Sequence, residues 1–397
     1  MIDVAIVGAG FSGLAAATTL EAAGATVEVI EARERVGGKV ASQRDQTGVN
    51  VDVGGQWVTD DMTNVLDLIR HHGLTLVAPE RPDESRVHPT GDVDRVGELF
   101  DQVSSAGGPG SMGDVLRRLP EAERAAVWSS IQVVWCQDPN LVPARFVKAM
   151  HELSEIEGEE LQYFVAESMH ALAERMAAHL SRPVRLGAAV GAAERRAEGV
   201  RLSTSTGPVD ARHVVLAVPP QVVSGLAIAP ALEPDLLEAC SSFRPGDVMK
   251  VLLRYRRPMW SGDACIFADP AGMWITSMAV DDPALVVFLG GPLTVAVRAL
   301  PDDERRRFIL GHVAAGLGPA ALDPISYVEQ DWPPDELGGG GYCAIVADAD
   351  PHAVIGRIRE GAPGVTFAST ELASSYPGFI EGAIVAGREA AARVTGL

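Results

Sequence analysis

Basic residues are scarce: the 397-residue chain sets 33 Lys and Arg against 53 Asp and Glu, for a formal net charge of −20. No basic patch large enough to neutralise a run of phosphates is present, which excludes a nucleic-acid partner. The acidic balance mildly favours cationic ligands through long-range steering. Long apolar runs are missing as well. No stretch reaches the roughly 18 residues needed to cross a bilayer, so no membrane span is expected. The opening "MIDVAIVGAG" has no basic segment ahead of its apolar run, and no apolar tail precedes Leu397, so a soluble, cytoplasmic protein is expected. Cysteine is limited to Cys136, Cys240, Cys265 and Cys343, with no CxxC pair. That scatter suits a reducing compartment and excludes a structural zinc site. The nine histidines contain no HExxH, and no metal site is expected.

What is present is the composition of a soluble enzyme, 47% hydrophobic and 22% charged, in a chain long enough for two intertwined domains. The segment "VAIVGAGFSGLAAATTLEAAGATVEVIEA" reads as strand, tight turn, helix and strand. Val4 to Val7 is a short buried run, and Gly8, Gly10 and Gly13 form GxGxxG. In that pattern the first glycine makes the turn, the second lets backbone approach a pyrophosphate, and the third lets the helix pack on the strand. The helix N-terminus then faces the phosphates. The alanine-rich helix ends near Gly24, and Glu31 follows Gly13 by 18 residues, where an acid accepts hydrogen bonds from a ribose. An acid there favours an unphosphorylated ribose, hence FAD or NAD.

Further along, "MGDVLRRLPEAERAAVWSSIQVVW" and "GEELQYFVAESMHALAERMAAHL" carry helical patterns; in the second, Leu161, Phe164, Val165, Met169, Leu172, Met176 and Leu180 share a face. Short strands through residues 183 to 218 end in the buried run Val214 to Val218, and "DDERRRFILGHVAAGLG" is a helix from Asp302 or Asp303 to about Gly316. Lys250 shares a strand face with Val248 and Leu252, so its charge must reach a partner or snorkel to water. The run "LGGGGYCAIV" is either a loose surface turn or backbone packed too closely for a Cβ.

Several segments together resemble the flavin amine oxidase family of monoamine, polyamine and L-amino-acid oxidases: "EARERVGGKVASQ", "VDVGGQWV", "DWPPDELGGGGYCAI" and "VTFASTELASSYPGFIEGAIVAGREAAARV". The resemblance spans most of the chain except about residues 80 to 160. It implies an α/β fold with a Rossmann-like FAD-binding domain (residues 1–78, 183–235 and 350–397) interleaved with a substrate domain of mixed sheet plus helices (79–182 and 236–349). The implied cofactor-binding set begins with Gly8, Gly10, Phe11, Ser12 and Gly13, then Glu31, Ala32, Arg33, Arg35, Gly37, Gly38 and Lys39. It continues with Gly54, Gly55, Gln56, Trp57, Val190, Trp332 and Gly341, and closes with Thr370, Glu371, Gly378, Phe379 and Ile380. Arg35 and Lys39 suit a diphosphate, Glu371 a ribityl chain, and the N–H groups of about Phe379 and Ile380 the flavin pyrimidine. Lys250 is implied to hold a water at flavin N5, and Tyr342 and Phe379 to form an aromatic cage around the amine. Gly341 stands where some members carry a flavin-bonding cysteine, so the FAD is expected to be non-covalent.

The sequence departs from the family pattern at Ser369, usually glycine, and in "YPGF", Tyr376 to Phe379. The expected activity is oxidation of an amine C–N bond to an imine by hydride transfer to the flavin, with O2 reduced to H2O2, by a monomer or homodimer. An L-amino-acid oxidase, or a tailoring oxidase or desaturase, remains an alternative; the first needs a cation for the carboxylate, and Arg145, Arg254 and Arg298 are available. A non-catalytic binding protein of this fold is a further alternative, against which Glu31, Lys250, Tyr342 and Glu371 argue.

Overall fold

A computed structural model describes residues 1–78, 93–154, 162–259, 266–269, 272–279, 282–332 and 337–396. Its larger sheet is mixed and draws strands from distant parts of the chain. The strand Ile2–Val7 lies between Val27–Ile30 and Val209–Leu216, parallel to both, with Val4 opposite Val27 and Ile6 opposite Val215. The far edge of Val209–Leu216 is shared. Gly199–Thr204 pairs antiparallel with its first half, and Val365–Phe367 pairs parallel with its second. Val190–Arg196 and Ala227–Ala229 complete the sheet. All the parallel strands of this core therefore end on one side, where open α/β sheets bind ligands.

Two helices cover one face. Phe11–Ala22 follows the first strand, with Gly24 at φ +86° past its end, and Ile380–Thr395 packs against it. Their approach is close enough that a Cβ on Gly387 would fall 2.2 Å from the Ser12 carbonyl oxygen. Ile6, Leu14, Leu20, Val29, Val215, Ile384 and Ala390 fill the layer between helices and sheet.

The second sheet runs Ile266–Asp269, Met273–Ala279, Asp282–Gly290, Val248–Arg254, Ser326–Asp331, antiparallel throughout. Alternation along Val248–Arg254 splits its side chains cleanly. Met249, Val251 and Leu253 face the helix Asp302–Leu317, whereas Val248 and Leu252 pack with Val286, Val328 and Trp332 on the other side. Lys250 belongs to that second face, as its spacing predicts. Helices Val93–Ala106, Met112–Leu116, Glu121–Trp135 and Ala144–Leu153 share one apolar core with strands of the larger sheet.

The helical reading of the middle segments needs correction. Residues 112–135 form two helices, interrupted before Glu121 by Pro120, which cannot continue a helix. In the next segment, among the described residues, only Met169–Ala178 is helical. Phe164–Val165 is instead a short strand paired with Leu76–Val77, and Leu161 lies outside the described residues. The helix starts late because Ser168 caps it, its hydroxyl accepting from the Ala171 N–H, and because Asp52 accepts from the Met169 N–H at 2.8 Å.

Candidate active site

The ends of the strands in the larger sheet and the inner face of the second sheet enclose one cavity of about 480 Å³. At its nucleotide-like end the three glycines divide their work as the spacing predicts. Gly8 sits at φ +106°, and a Cβ there would meet the Ala217 carbonyl oxygen at 2.5 Å. A Cβ on Gly13 would lie 1.9 Å from the Gly8 carbonyl oxygen, so the helix can close on the strand only without one. Gly10 is different: its nearest neighbour would be Gly38 Cα at 3.8 Å, leaving the backbone open towards the cavity. Glu31 is buried beside it. One carboxylate oxygen accepts from the Ala9 N–H at 2.8 Å and the other from the Arg33 N–H at 2.9 Å. Each oxygen keeps a second lone pair.

Of the residues expected to hold a cofactor, Gly13 and Arg35 do not line this cavity; all the others do. Gly13 has the packing role just described. Arg35 is a correction. Its guanidinium donates to the carbonyl oxygens of Val36, Val40 and Gly38 at 3.0 to 3.1 Å, which fixes the Gly37–Gly38 turn from behind. Lys39 does reach the wall, where Nζ donates to the Tyr342 carbonyl oxygen at 3.0 Å and lies 3.7 Å from Glu371 Oε1.

Lys250 neither snorkels nor reaches solvent. Its strand is central, it is 2% exposed, and Nζ donates to the carbonyl oxygens of Asp52 at 2.7 Å and Gly54 at 2.8 Å and to Gln56 Oε1. An ammonium has three donors, and here all three are committed within the protein. The expected water-holding role is therefore narrowed: Lys250 first of all ties down the segment carrying Gly54 and Gly55. Burial pushes the lysine pKa down against the pull of the Asp52 charge. Burial likewise pushes the Asp52 carboxyl up, opposed by N–H donation from Met169 and by Lys250. Both groups move towards their neutral forms.

The run of glycines is packed backbone, not a loose turn. Gly339 and Gly340 have φ of +63° and +90°, and a Cβ on Gly340 would meet the Gly246 carbonyl oxygen at 2.5 Å. A Cβ on Gly341 would press on Val248 Cγ1 at 2.7 Å. The turn presents Tyr342 to the cavity, edge-on to Phe288 with ring centroids 6.0 Å apart. The residue is 37% exposed towards the cavity, and desolvation by the walls around its hydroxyl raises the phenol above the ordinary value. Phe379 also lines the cavity; it precedes the last helix and contacts Tyr376 edge-on, ring centroids 6.3 Å apart. Thr370 holds this loop: its hydroxyl accepts from the Gly378 N–H at 2.8 Å and donates to the Phe379 carbonyl oxygen at 2.9 Å. The Phe379 N–H, expected to face a ligand, is already bonded to the Tyr376 carbonyl oxygen. Among the described residues the Ile380 N–H has no such partner.

The three arginines considered for a carboxylate do not line the cavity. Arg145 is exposed, Arg254 pairs with Asp45 at 2.9 Å, and Arg298 is clamped by Asp331 and Asp247. Among the described residues the charged side chains on the wall are Glu31, Arg33, Lys39, Lys250 and Glu371. The sequence reading missed much of the apolar wall: Val133, Val134 and Trp135 from the helical layer, and Trp274 and Phe288 from the second sheet. Phe288 is opposite Lys250 in register, with Nζ 5.7 Å from its ring centroid. Only strand pairing could have revealed it.

The sequence model of a family described as flavin containing amine oxidoreductase matches residues 11–129 and 140–395. A putrescine oxidase of Kocuria rosea is 30% identical over 459 residues, covering 99% of this chain and 95% of that protein. An L-amino acid dehydrogenase of Synechocystis sp. is 28% identical, covering 100% of this chain and 95% of its own. The solved structure of a cyclohexylamine oxidase from Brevibacterium oxydans shares the fold, with a TM-score of 0.90 over 100% of this chain and 99% of that one, at 23% identity.

Proposed function

This chain belongs to the flavin containing amine oxidoreductase family, and from that premise we propose an FAD-dependent oxidase of apolar monoamines that binds its cofactor without a covalent bond. The observation that carries the reading is the single cavity that gathers Gly10, Glu31, Lys39, Lys250, Tyr342, Glu371 and Phe379 from both ends of the chain. The residues fit such a group. Glu371 Oε1 is buried on the wall and accepts no hydrogen bond, and Gly10 leaves its backbone open. In this reading Gly8, Gly10, Phe11 and Ser12 carry the diphosphate at a helix N-terminus, Glu31 the ribose, and Val190 the adenine. Arg33, Lys39 and Glu371 flank the chain between the two ring systems.

A bound flavin supplies one thing, acceptance of a hydride equivalent from the amine α-carbon and its delivery to O2 as H2O2, leaving an imine that water hydrolyses. The protein orients and desolvates. Lys250 and Gln56 fix the Gly54–Gly55 segment on the cavity wall. Tyr342 and Phe379 supply the two rings that would flank the amine. Trp57, Trp135, Trp274 and Phe288 exclude water from its body. Non-covalent binding is supported by Gly341, which has no side chain, and by Cys343, whose thiol burial pushes up to about 12; the thiolate is the nucleophilic form. A monoamine is favoured over a diamine or an amino acid because the described apolar wall carries no carboxylate or guanidinium beyond those already assigned.

In the same reading, residues 1–78, 183–235 and 350–397 form a nucleotide-binding unit and 79–182 and 236–349 a substrate unit, a division supported by the strands Ile2–Val7, Val209–Leu216 and Val365–Phe367 sharing one sheet and Val248–Arg254 and Ser326–Asp331 another. The free thiols of Cys136, Cys240 and Cys343 support a reducing, cytoplasmic setting.

The test is the visible absorbance of the purified protein under anaerobic conditions during additions of benzylamine, cyclohexylamine, putrescine and L-amino acids. Bleaching of the flavin band by the apolar monoamines, with putrescine and amino acids much slower, is the expected result. Bleaching by amino acids alone would overturn the substrate assignment, and no flavin band after FAD addition would overturn the enzyme reading.

A further inference from the structure

Ser369 occupies a position where a hydroxyl needs a partner and the described residues supply none. The residue follows the strand Val365–Phe367, whose end is fixed by the Ala368 N–H on the Leu216 carbonyl oxygen. It is 5% exposed, lies on the cavity wall, and its Oγ has no hydrogen-bond partner among the described residues. An unpaired buried hydroxyl is a net cost to folding. Glycine or alanine would avoid that cost, and nothing in the backbone demands serine: φ is −144° and ψ 157°, an extended conformation open to any residue. The side chain therefore has no structural explanation within the protein.

Its surroundings name the missing partner. Leu216 leads into Ala217, whose carbonyl oxygen faces Gly8 of the first turn. Ser369 and the Gly8–Gly10 turn therefore flank one strand end, at the side of the sheet where the helix Phe11–Ala22 begins. Fixed donors there suit an anion, and a hydroxyl can turn about χ1 to add another. We propose that Ser369 is a further cofactor-binding residue, its hydroxyl donating to a diphosphate oxygen of the dinucleotide. The assignment rests on the FAD reading above and adds to it a contact particular to this chain. It also separates Ser369 from its neighbours: Thr370 spends its hydroxyl on Gly378 and Phe379, and Glu371 faces Lys39.

The test is binding, measured with the full-length protein. FAD affinity is read from flavin fluorescence quenching after removal and re-addition of the cofactor, and ADP affinity from its competition with FAD. ADP carries the diphosphate and adenosine but no ribityl chain or flavin ring. Ser369→Ala and Ser369→Gly should each weaken both ligands by roughly 10- to 100-fold, the range expected for one hydrogen bond to a charged group. The melting temperature of the cofactor-free protein should stay the same or rise, because an unpaired hydroxyl has gone. Unchanged affinities in both variants would overturn the proposal and leave the FAD reading standing. Weakened FAD with unchanged ADP would overturn it in favour of a ribityl contact. A melting temperature that falls in both variants without loss of affinity would make Ser369 structural and also overturn it. If the wild-type protein bound neither ligand, this proposal and the FAD reading would fall together.

Discussion

Lys250 Nζ donates to the Asp52 carbonyl oxygen at 2.7 Å, joining a central strand of one sheet to the end of the short strand Asn50–Asp52, 198 positions earlier in the chain. The lysine is a clamp on the segment that runs past Gly54 and Gly55. Lys250→Met leaves the Asp52 and Gly54 carbonyls and Gln56 Oε1 without their donor, at about 1–3 kcal/mol per stranded group, but it also removes a buried charge. Stability measured by urea unfolding should therefore change by only about 1–2 kcal/mol, while amine turnover falls at least about tenfold through lost positioning. Wild-type turnover in this variant would dismiss the clamp.

Tyr342 should act through its ring and not its hydroxyl. Because its phenol titrates above the ordinary value, Tyr342→Phe should follow the wild-type pH–rate profile up to about pH 10 with kcat/KM within about threefold. Tyr342→Leu, which abolishes the edge contact with Phe288, should lower kcat/KM about tenfold. A new basic limb in the Tyr342→Phe profile would instead assign the hydroxyl a proton-transfer role.

Glu381 is buried in the first turn of the last helix and caps a different helix, Thr63–His71. It accepts from the N–H groups of Asn64 and Val65 at 3.1 and 2.9 Å and from Asn64 Nδ2 at 2.5 Å. No side chain of the preceding Met62 provides a cap. Glu381→Ala should cost about 2–4 kcal/mol and Glu381→Gln, which keeps an acceptor, about half as much. Equal losses in thermal unfolding would show that charge, not hydrogen bonding, matters there.

The nucleotide half of the fold was legible because its signals are local: Gly8, Gly13 and Glu31 lie within one strand–helix–strand unit whose geometry admits few side chains. Lys250 was legible for a related reason, since a lone charge on an apolar strand face must have a partner. What the spacing could not supply was the partner itself, because Asp52 and Gln56 reach it only through tertiary packing. Arg35 shows the same limit: a cation just before a glycine pair looks the same whether it meets phosphate or the carbonyls of its own turn. Trp135, Trp274 and Phe288 carry no motif at all, and they enter the wall only through helix packing and strand register. The late start of the helix at Met169 was hidden because Phe164 and Val165 happen to continue its apolar spacing while pairing with Leu76 and Val77.

Gly340 tests whether the glycine run is packed. At φ +90° with the Gly246 carbonyl oxygen 2.5 Å from a would-be Cβ, Gly340→Ala should destabilise the fold by about 2 kcal/mol or more. Gly311 lies on an exposed helix surface with nothing within 4 Å, so Gly311→Ala should be neutral or stabilising by up to about 1 kcal/mol. Equal stability of the two variants would return the glycine run to a loose turn.

Acidification should weaken the fold through His72. Its ring packs between those of His71 and His179, with centroids 5.0 and 4.7 Å away, and Arg175 reaches its carbonyl oxygen. Burial, then the charges of His179, His71 and Arg175, hold its pKa below 6.5. The unfolded chain takes up a proton as pH drops through 6.5 while the native ring still resists it. The unfolded state thus binds more protons in that window, and stability falls with pH there. His213, lowered by burial alone, acts with the same sign, whereas the raised Asp52 carboxyl acts with the opposite one. Comparison with His72→Asn removes both from the difference. Between pH 7.5 and 5.5 the wild type should lose up to about 1 kcal/mol more than the variant in urea unfolding, the scale set by 1.36 kcal/mol per pKa unit. A difference between the two proteins that does not change with pH would mean that the native ring takes its proton as readily as the unfolded chain.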